Sequence, residues 1–412
     1  MTNKKKVIII GAGPAGMMAA YFAAKEGASV VLIEKNKLLG RKIRITGKGR
    51  CNITNASDLE TIISNIYKNG NFMYSSLYSF TNEDLMNLFE EFGLSLKVER
   101  GNRVFPTSDK AIDVVIAMEK MLLSQNVSVI KNTRVRKILL DGQKVRGLKL
   151  NNGEEILADS IIIATGGKSY PLTGSTGDGY QFARECGHKV TALYPGLVGL
   201  ETKNRIDKDL IGLKLKNIAI SLYKNNKMVY EDFGELEYRD YGLDGPVIKS
   251  ASCYIDTFKD FSYRILVDLK PALTKEKLDA RILRDFGKYT NCKFEQGLKD
   301  LLPKNIISSI IRLVGIDGQK PVHQISKEER LRLVNSLKGI EYQIKGTRPI
   351  EEAIVTDGGV EIKEVNPTTM ESKLVEGLYF AGEVIDVNAF TGGYNLQVAF
   401  STGYLAGINS AR

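Results

Sequence analysis

Short unbroken runs of apolar residues, rather than alternating ones, mark the strands near the start of this chain. Val7–Ile10 is the first run, and Ser29–Ile33 and Ser160–Ile163 have the same character. Strands buried on both faces of a parallel sheet are composed in this way, whereas strands with one solvated face alternate. Helical patterns over Ala15–Lys25 and Ala111–Ser124 lie between the runs. This succession of strands and helices predicts an α/β fold with a parallel sheet.

The middle of the chain has a different pattern. Val127–Ile130 reads as a third parallel strand, and a hairpin follows around Asp141-Gly142. Residues 194–270 contain short alternating strands between Asn, Asp and Gly turns, and residues 271–340 contain helical patterns. We predict that these two segments are a β-rich and a helical insertion into one discontinuous domain, formed by residues 1–193 and 341–412.

The first strand runs directly into a G-x-G-x-x-G turn. Its first glycine permits a tight turn, its second lets a pyrophosphate approach the backbone, and its third lets the following helix lie close to the sheet. The helix directs its N-terminal amides and positive dipole end at the phosphates. An acid at the end of the second strand is placed to bind ribose hydroxyls. The turn therefore predicts a dinucleotide site at Gly11, Gly13, Pro14, Ala15, Gly16, Glu34 and Lys35.

A basic, glycine-rich stretch follows this unit. Glycines that alternate with Arg, Lys, Asn and Thr predict an extended loop around a phosphate-bearing ligand. The neighbouring Arg50 favours a thiolate at Cys51, but no histidine base is near in sequence, so structural packing is the favoured interpretation of this cysteine. The candidate cofactor contacts in this loop are Gly40, Arg41, Lys42, Gly49, Arg50, Cys51 and Asn52.

The later strand ends indicate FAD rather than NAD. A strand ending in Ala-Thr-Gly, a Gly-Asp-Gly helix start and a terminal Gly-Glu tip suit a longer cofactor. We expect Glu383 to bind ribityl hydroxyls and the amides of residues 393–396 to face the flavin N1–C2=O edge, where they stabilise negative charge. The predicted contacts in these segments are Val135, Ala164, Thr165, Gly166, Gly177, Asp178, Gly382, Glu383, Gly393, Tyr394, Asn395 and Leu396.

Composition narrows the classes of protein further. The 412 residues suffice for two or three domains, and no apolar run approaches the length of a membrane span. The first residues lead straight into a strand without a signal-peptide core, so we expect a cytoplasmic protein that does not bind membranes. The four cysteines are far apart, which excludes CxxC redox pairs and zinc knuckles, and no metal is expected.

The net charge of +10 raises the question of a nucleic-acid partner. Basic residues are spread along the chain and interleaved with acids, so a solvated basic surface is the favoured interpretation. No basic stretch interleaved with aromatic residues is visible, which argues against nucleic-acid binding. The sequence leaves the oligomeric state open.

The chain resembles the aminoacetone-oxidase/BaiN-like family of FAD proteins, also described as NAD(P)/FAD-dependent oxidoreductases. The resemblance implies a glutathione-reductase-type FAD-binding Rossmann-like domain interrupted by insertions. Lys48 stands where the family usually has glycine, and Asp244 where serine is common. Family activities include amine oxidation and reduction of steroid-like enones, so membership leaves the substrate open. The motifs that carry the resemblance are GAGPAG, GRKIRITGKGRCNITN, RVFP, ATGGKSYPLTGSTGDGY, YGLDGP, TDGGV, TMESK and YFAGEVIDVNAFTGGYNLQVAFSTG.

These observations lead to a hypothesis of an FAD-dependent oxidoreductase. Hydride would pass between flavin N5 and a small organic substrate, an amine or an enone, in a cleft between the FAD domain and the insertion. The chain has one G-x-G-x-x-G unit, so NAD(P)H would visit this cleft as a transient donor, or oxygen would reoxidise the flavin. The alternatives are an NAD(P)H-dependent reductase of an unsaturated ketone and an RNA-binding, tRNA-modifying flavoprotein. The candidate catalytic residues are Lys42, Arg50, Cys51, Asn52, Tyr241 and Tyr394.

Overall fold

The computed structural model describes residues 4–255 and 257–412. The first three residues of the predicted domain 1–193 and Asp256 of the predicted β-rich segment therefore lie outside the described residues. The chain divides into two compact units, Met1–Gly196 with Ile350–Arg412, and Leu197–Pro349. Each unit is considered by itself below.

The strands and helices are numbered in chain order. No helix of the described ranges combines the length and the apolar character needed to cross a membrane. The strands are β1 Lys6–Ile10, β2 Ser29–Ile33, β3 Thr54–Asn55, β4 Leu96–Glu99, β5 Arg103–Pro106, β6 Ser128–Ile130, β7 Val135–Asp141, β8 Lys144–Leu150, β9 Glu155–Leu157, β10 Ser160–Ile163, β11 Tyr194–Gly196, β12 Leu200–Thr202, β13 Lys214–Lys224, β14 Lys227–Arg239, β15 Gly242–Asp244, β16 Tyr263–Asp268, β17 Ile340–Thr347, β18 Val355–Asp357 and β19 Leu378–Phe380. The helices are α1 Pro14–Lys25, α2 Leu59–Ser64, α3 Tyr74–Ser79, α4 Asn82–Glu91, α5 Ala111–Ser124, α6 Asp178–Glu185, α7 Pro246–Ser252, α8 Lys275–Lys288, α9 Phe294–Gly297, α10 Lys304–Val314, α11 Lys327–Leu337 and α12 Tyr394–Ser410.

A five-stranded parallel sheet forms the centre of the first unit. Its strand order is β19-β10-β1-β2-β6, and every neighbouring pair is parallel. Val7, Ile8 and Ile9 in β1 are fully buried, which is the reason for the unbroken apolar run. The α/β fold class is confirmed, and β6 occupies the place of the predicted third parallel strand.

Helices α1 and α12 bring the two ends of the chain together in this unit. A Cβ atom on Gly403 would lie 2.4 Å from the Ala15 carbonyl oxygen, and one on Gly407 would lie 2.6 Å from that of Ala19. Only glycine allows the two backbones to approach so closely, because any side chain would occupy the space of the facing helix. The N-terminal and C-terminal segments are therefore parts of one core.

Three smaller antiparallel sheets complete the first unit. They are β3-β5-β4, β7-β8-β9 and the pair β11-β18. The predicted hairpin around Asp141-Gly142 corresponds to β7 and β8, which pair Asp141 with Lys144. Sheet β3-β5-β4 matters for the site because β3 lies beside the start of α12.

The second unit is built around a closed six-stranded barrel with the order β12-β15-β14-β13-β16-β17. Helices α8, α10 and α11 contribute buried residues to the same core as the barrel strands, and Arg330 joins α11 to α8 through a 2.6 Å bond to Asp279. From the sequence, we predict that the FAD domain resumes at residue 341. In the structure that residue lies in β17, which pairs with β16 inside this barrel. Sequence pattern identifies a strand without telling which sheet it joins.

Candidate functional site

The glycine turn between β1 and α1 combines tight packing with one open position. A Cβ on Gly11, whose φ is +102°, would lie 2.6 Å from the Ala164 carbonyl oxygen, and one on Gly16 would lie 1.9 Å from that of Gly11. A Cβ on Gly13 would meet nothing within 4 Å. Gly13 is also the N-cap of α1 and has no side-chain cap. The turn therefore presents open space in front of free helix N-terminal amides, as a bound pyrophosphate requires.

The carboxylate of Glu34 is fixed at this same turn. Its Oε2 accepts a 2.9 Å hydrogen bond from the Ala12 amide, and its Oε1 accepts bonds from the Asn36 amide at 2.8 Å and the Asn36 side chain at 2.6 Å. Glu34 is buried. An acid thus stands beside the glycine turn, where the sequence placed the ribose contact.

Lys35 and Asp178 join β2 to the start of α6. The Lys35 Nζ lies 2.8 Å from Asp178 Oδ2 and also bonds the Thr176 hydroxyl. Burial opposes ionisation of Asp178, but bonds from Lys35 and Thr176 hold the pKa of its carboxyl below the ordinary value. Gly177, with φ at +82°, is the N-cap of this helix and has no side-chain cap.

Lys42 and Glu383, predicted separately, form one ion pair across the unit. The Lys42 Nζ lies 2.8 Å from Glu383 Oε2 and 2.6 Å from the Ser169 hydroxyl. The other carboxylate oxygen, Oε1, accepts bonds from the Thr356 amide at 2.8 Å and from Ser169 at 3.0 Å. Three separate segments of the chain therefore converge on the Glu383 carboxylate.

The N-terminus of α12 rests on β3. Gly393 has a φ of +100°, and a Cβ there would lie 2.3 Å from the Thr54 carbonyl oxygen. Asn55 Nδ2 donates to the Gly392 carbonyl at 3.1 Å, and the Thr54 hydroxyl donates to Gln397 Oε1 at 2.6 Å. Gly393 caps the helix without a side-chain bond, so the amides of the first turn remain open to a ligand.

Gly382 links this terminal region to the opening glycine turn. Its φ is +75°, and a Cβ there would lie 2.8 Å from the Cβ of Ala15. The strand tip that carries Glu383 therefore lies directly against the first turn of α1. Ala164, Thr165 and Gly166 follow β10, which pairs with both β1 and β19, so their strand end lies between the other two.

The donors and spaces of this region fit FAD. Open space at Gly13, uncapped starts of α1, α6 and α12, and a fixed acid at Glu34 match the groups that a dinucleotide presents. Asn52 Oδ1 is a buried acceptor with no hydrogen-bond partner among the residues that the structure describes. Buried polar atoms are normally satisfied, so this acceptor points to a missing ligand.

The sequence predicts an extended path for the glycine-rich loop, but the structure shows a coiled one. Ile43–Gly49 forms two short 3₁₀ segments that are joined by a kink at residues 46–48. The loop is tied to the glycine turn because the Gly40 amide donates to the Ala12 carbonyl at 2.9 Å. Arg41 bonds Asn36 at 2.8 Å. Positive φ values at Gly47, Lys48 and Gly49 produce the turns, and sequence composition alone does not distinguish them from an extended path.

Two catalytic candidates in this loop have structural partners instead. Arg50 Nε bonds Asp109 Oδ1 at 2.8 Å, its Nη2 bonds Glu99, and its guanidinium lies 4.2 Å from the centre of the Phe105 ring. The Arg50 charge is therefore balanced by carboxylates and is not directed to Cys51. Burial raises the pKa of the fully buried Cys51 thiol to about 12, which disfavours a thiolate and agrees with the packing role favoured from the sequence.

We expect Cys51 to resist alkylation in the folded protein at pH 8. Cys253 and Cys292 are partly exposed, whereas Cys51 is buried and neutral, and only a thiolate reacts. Iodoacetamide treatment followed by peptide mass spectrometry should find label on the two partly exposed cysteines first. Labelling of Cys51 at a comparable rate in the folded protein, with the denatured protein as control, would contradict this assignment.

The remaining predicted residues occupy varied places. Asn395 uses its side chain to close the preceding loop, bonding the Ala389 amide at 3.0 Å and the Ala389 carbonyl at 2.6 Å. Tyr394 is buried, and Val135 begins β7 in the core. Tyr241 belongs to the second unit, where its hydroxyl donates to Asp244 Oδ2 at 3.0 Å. The structure therefore shows a local bonding role for the Asn395 side chain, whereas its amide belongs to the open first turn.

Sequence reasoning missed several partners of the site. Ser169 and Thr356 bind Glu383, and Gln397 anchors Thr54, yet none of the three was a candidate. Ser169 lies in the motif ATGGKSYP and Thr356 in TDGGV. Their presence in motifs that carry the family resemblance is the sequence signal that points to them. Lys68 was also missed, because its partners Asp357 and Asp386 lie about 300 residues away in sequence.

Comparison with known proteins agrees with this geometry. The HI0933-like protein Rossmann domain matches residues 5–409. The 3-dehydro-bile acid delta(4,6)-reductase of Clostridium scindens is 31% identical over 98% of both chains, and the ribosomal RNA dihydrouridine synthase of Haemophilus influenzae is 30% identical over 100% of both. The solved structure of Mycobacterium smegmatis Sdh1 in complex with UQ1 shares the fold, with a TM-score of 0.51 and 15% identity over 99% of this chain and 69% of that chain.

The fold and the relatives together define a flavin-dependent oxidoreductase with an FAD-binding Rossmann-type domain. The chain belongs to the HI0933-like family.

Proposed function

We propose that this protein is an FAD-dependent reductase that adds two hydrogens across a carbon–carbon double bond conjugated with a carbonyl group. The similarity to the two curated relatives over nearly their whole lengths carries the proposal. One name specifies a reductase of a 3-oxo steroid with conjugated double bonds. The other specifies formation of dihydrouridine, which is uridine with the carbon–carbon bond beside its carbonyl saturated. Both names denote one chemistry on different substrates.

Three parts of the first unit would bind different parts of the cofactor. Gly13 and the start of α1 would receive the pyrophosphate, and Glu34 the adenosine ribose. Glu383, held by Lys42 and Ser169, would orient the ribityl hydroxyls. The open amides at the start of α12 would stabilise negative charge at the flavin edge. Bound FAD supplies hydride transfer at its N5 atom.

Conjugate reduction also requires a proton at the carbon beside the carbonyl. The sequence names Tyr241 as a candidate for this proton, and within the second unit its hydroxyl donates to Asp244, which also accepts a 2.5 Å bond from Lys249. Burial, followed by the nearby charge of Asp244, raises the pKa of Tyr241, so the phenol keeps its proton at neutral pH. A neutral hydroxyl in a hydrogen-bonded chain can give a proton and recover one.

Anaerobic absorbance spectroscopy tests the proposal. We expect NADH or NADPH to bleach the bound flavin, and a steroid 4-en-3-one then to restore the oxidised spectrum with one equivalent of saturated ketone formed. The Y241F variant should be reduced normally but reoxidised at least tenfold more slowly by the enone, because only the second half-reaction needs the proton. Bleaching by aminoacetone, with oxygen consumption in air, would instead establish an amine oxidase.

A second candidate function is the reduction of uridine in RNA. The positive charge and the aromatic side chains of the second unit favour it. Residues 197–349 hold 28 basic and 21 acidic residues, so most of the net charge of +10 belongs to this unit. Strand β13 and the segment that enters and begins β16 also bring aromatic and basic side chains together. The Lys224 Nζ lies 3.7 Å from the centre of the Phe261 ring, and Arg264 lies 4.5 Å from that of Tyr223. Stacking rings beside cations suit single-stranded RNA.

RNA mass spectrometry separates the two substrates. Incubation of the reduced holoenzyme with ribosomal RNA should add 2 Da to a specific uridine-containing fragment if RNA is the substrate. Retention on RNA that falls steeply with salt would accompany it. Turnover of the enone with neither mass gain nor retention would end the RNA candidate.

A further inference from the structure

Lys68 occupies a charged cluster that the proposed mechanism does not use. Its Nζ lies 2.7 Å from Asp357 Oδ1 and 3.0 Å from Asp386 Oδ1. The Asp386 side chain is 6% exposed and that of Lys68 is 32% exposed. The Thr191 hydroxyl also donates to Asp386 Oδ2 at 3.2 Å. One ammonium thus joins three separate segments of the first unit.

The backbone around Lys68 is paired with the segment that enters α12. The Lys68 amide donates to the Asn388 carbonyl at 3.1 Å, and the Asn388 amide donates to the Lys68 carbonyl at 3.3 Å. Asn69 Nδ2 donates to the Asp386 carbonyl at 2.6 Å, and the Phe390 amide donates to the Asn65 carbonyl at 2.9 Å. Residues 65–69 therefore hold residues 386–390 by three backbone hydrogen bonds and one bond from the Asn69 side chain.

This segment sets where α12 begins. Its far end is closed by the Asn395 side chain, which bonds both backbone groups of Ala389. Gly393 and the open first-turn amides come directly after it. Because the loop is clamped at Asp386 and at Ala389, its conformation is transmitted to the helix N-terminus. Exposed ion pairs contribute little, whereas removal of this partly buried ammonium would leave two carboxylates without their cation.

We propose that Lys68 is a positioning residue for the flavin: it holds the 386–390 segment so that the N-terminal amides of α12 stay aligned with the cofactor's negative edge. The inference rests on the proposed flavin chemistry. It makes the potential of the flavin depend on a lysine that acts through the protein segment leading into α12. The direction follows from the helix dipole, since aligned amides favour the anionic reduced form.

The test compares K68M with K68R in the full-length holoprotein. We expect K68M to bind FAD at least tenfold more weakly and to have a more negative flavin midpoint potential, measured against reference dyes. K68R, which keeps a cation between the two acids, should return the FAD dissociation constant to within about threefold of wild type. The control K144M removes an exposed pair with Glu376 and should change neither quantity.

The outcomes separate the positioning role from the proposed function. Unchanged affinity and potential in K68M would overturn the inference while leaving the flavin function intact. A wild-type protein that takes up no FAD would instead defeat the proposed function. Should K68M fail to fold, D357N provides the second variant, because it keeps the Lys68–Asp386 pair and should shift the potential in the same direction by a smaller amount. An unshifted potential in D357N would then overturn the inference.

Discussion

Replacement of Gly13 by valine is expected to abolish FAD binding while the protein still folds. Gly13 has a φ of −81° and a ψ of −174°, which valine adopts readily, and a Cβ there meets no protein atom within 4 Å. The added methyl groups would occupy the open space in front of α1 that the pyrophosphate needs. We expect the FAD dissociation constant to rise at least 100-fold, about 2.7 kcal/mol.

Calorimetric titration of the apoprotein with FAD and a thermal melt without FAD measure the two effects separately. Valine is a poorer helix N-cap than glycine, so the apoprotein should lose no more than about 1 kcal/mol. Wild-type affinity for FAD in G13V would mean that the cofactor does not approach this turn. Unfolding of G13V would mean that the space is already filled by protein.

Replacement of Gly403 by valine is expected to destabilise the fold as well as to weaken FAD binding. A Cβ at Gly403 would lie 2.4 Å from the Ala15 carbonyl oxygen, and backbone cannot move aside as a flexible side chain can. The helices α1 and α12 would have to separate, which should cost about 3 kcal/mol of unfolding free energy. Because both helix N-termini belong to the site, FAD affinity should fall together with stability.

Urea unfolding followed by circular dichroism measures this change. G287A is the matched control: Gly287 lies within α8, and a Cβ there would meet nothing within 4 Å. That variant should gain about 0.5 kcal/mol or less, because alanine favours a helix over glycine and Gly287 is the penultimate residue of α8. Equal stability of G403V and wild type would show that the two helices do not pack as described.

Short stretches of sequence are enough to establish the nucleotide-binding class of the fold. The unbroken apolar strands, the glycine turn, Glu34 and the glycines before the last helix depend on local physics: burial on both faces of a sheet, positive φ and free helix amides. Those features can be seen in a few consecutive residues. For this reason local sequence is enough to predict the parallel sheet and, with it, the class of flavoenzyme.

Which charged groups meet depends on how the whole chain folds. Lys42 and Glu383 are 341 residues apart, Lys68 joins two acids from the far end of the chain, and Arg50 is paired with Glu99 and Asp109 rather than with Cys51. The membership of β17 in the barrel was equally hidden. Burial and ion pairing depend on long-range packing, which leaves no signal in neighbouring residues. The same packing makes Cys51 neutral and places Lys68 beside the entrance to α12.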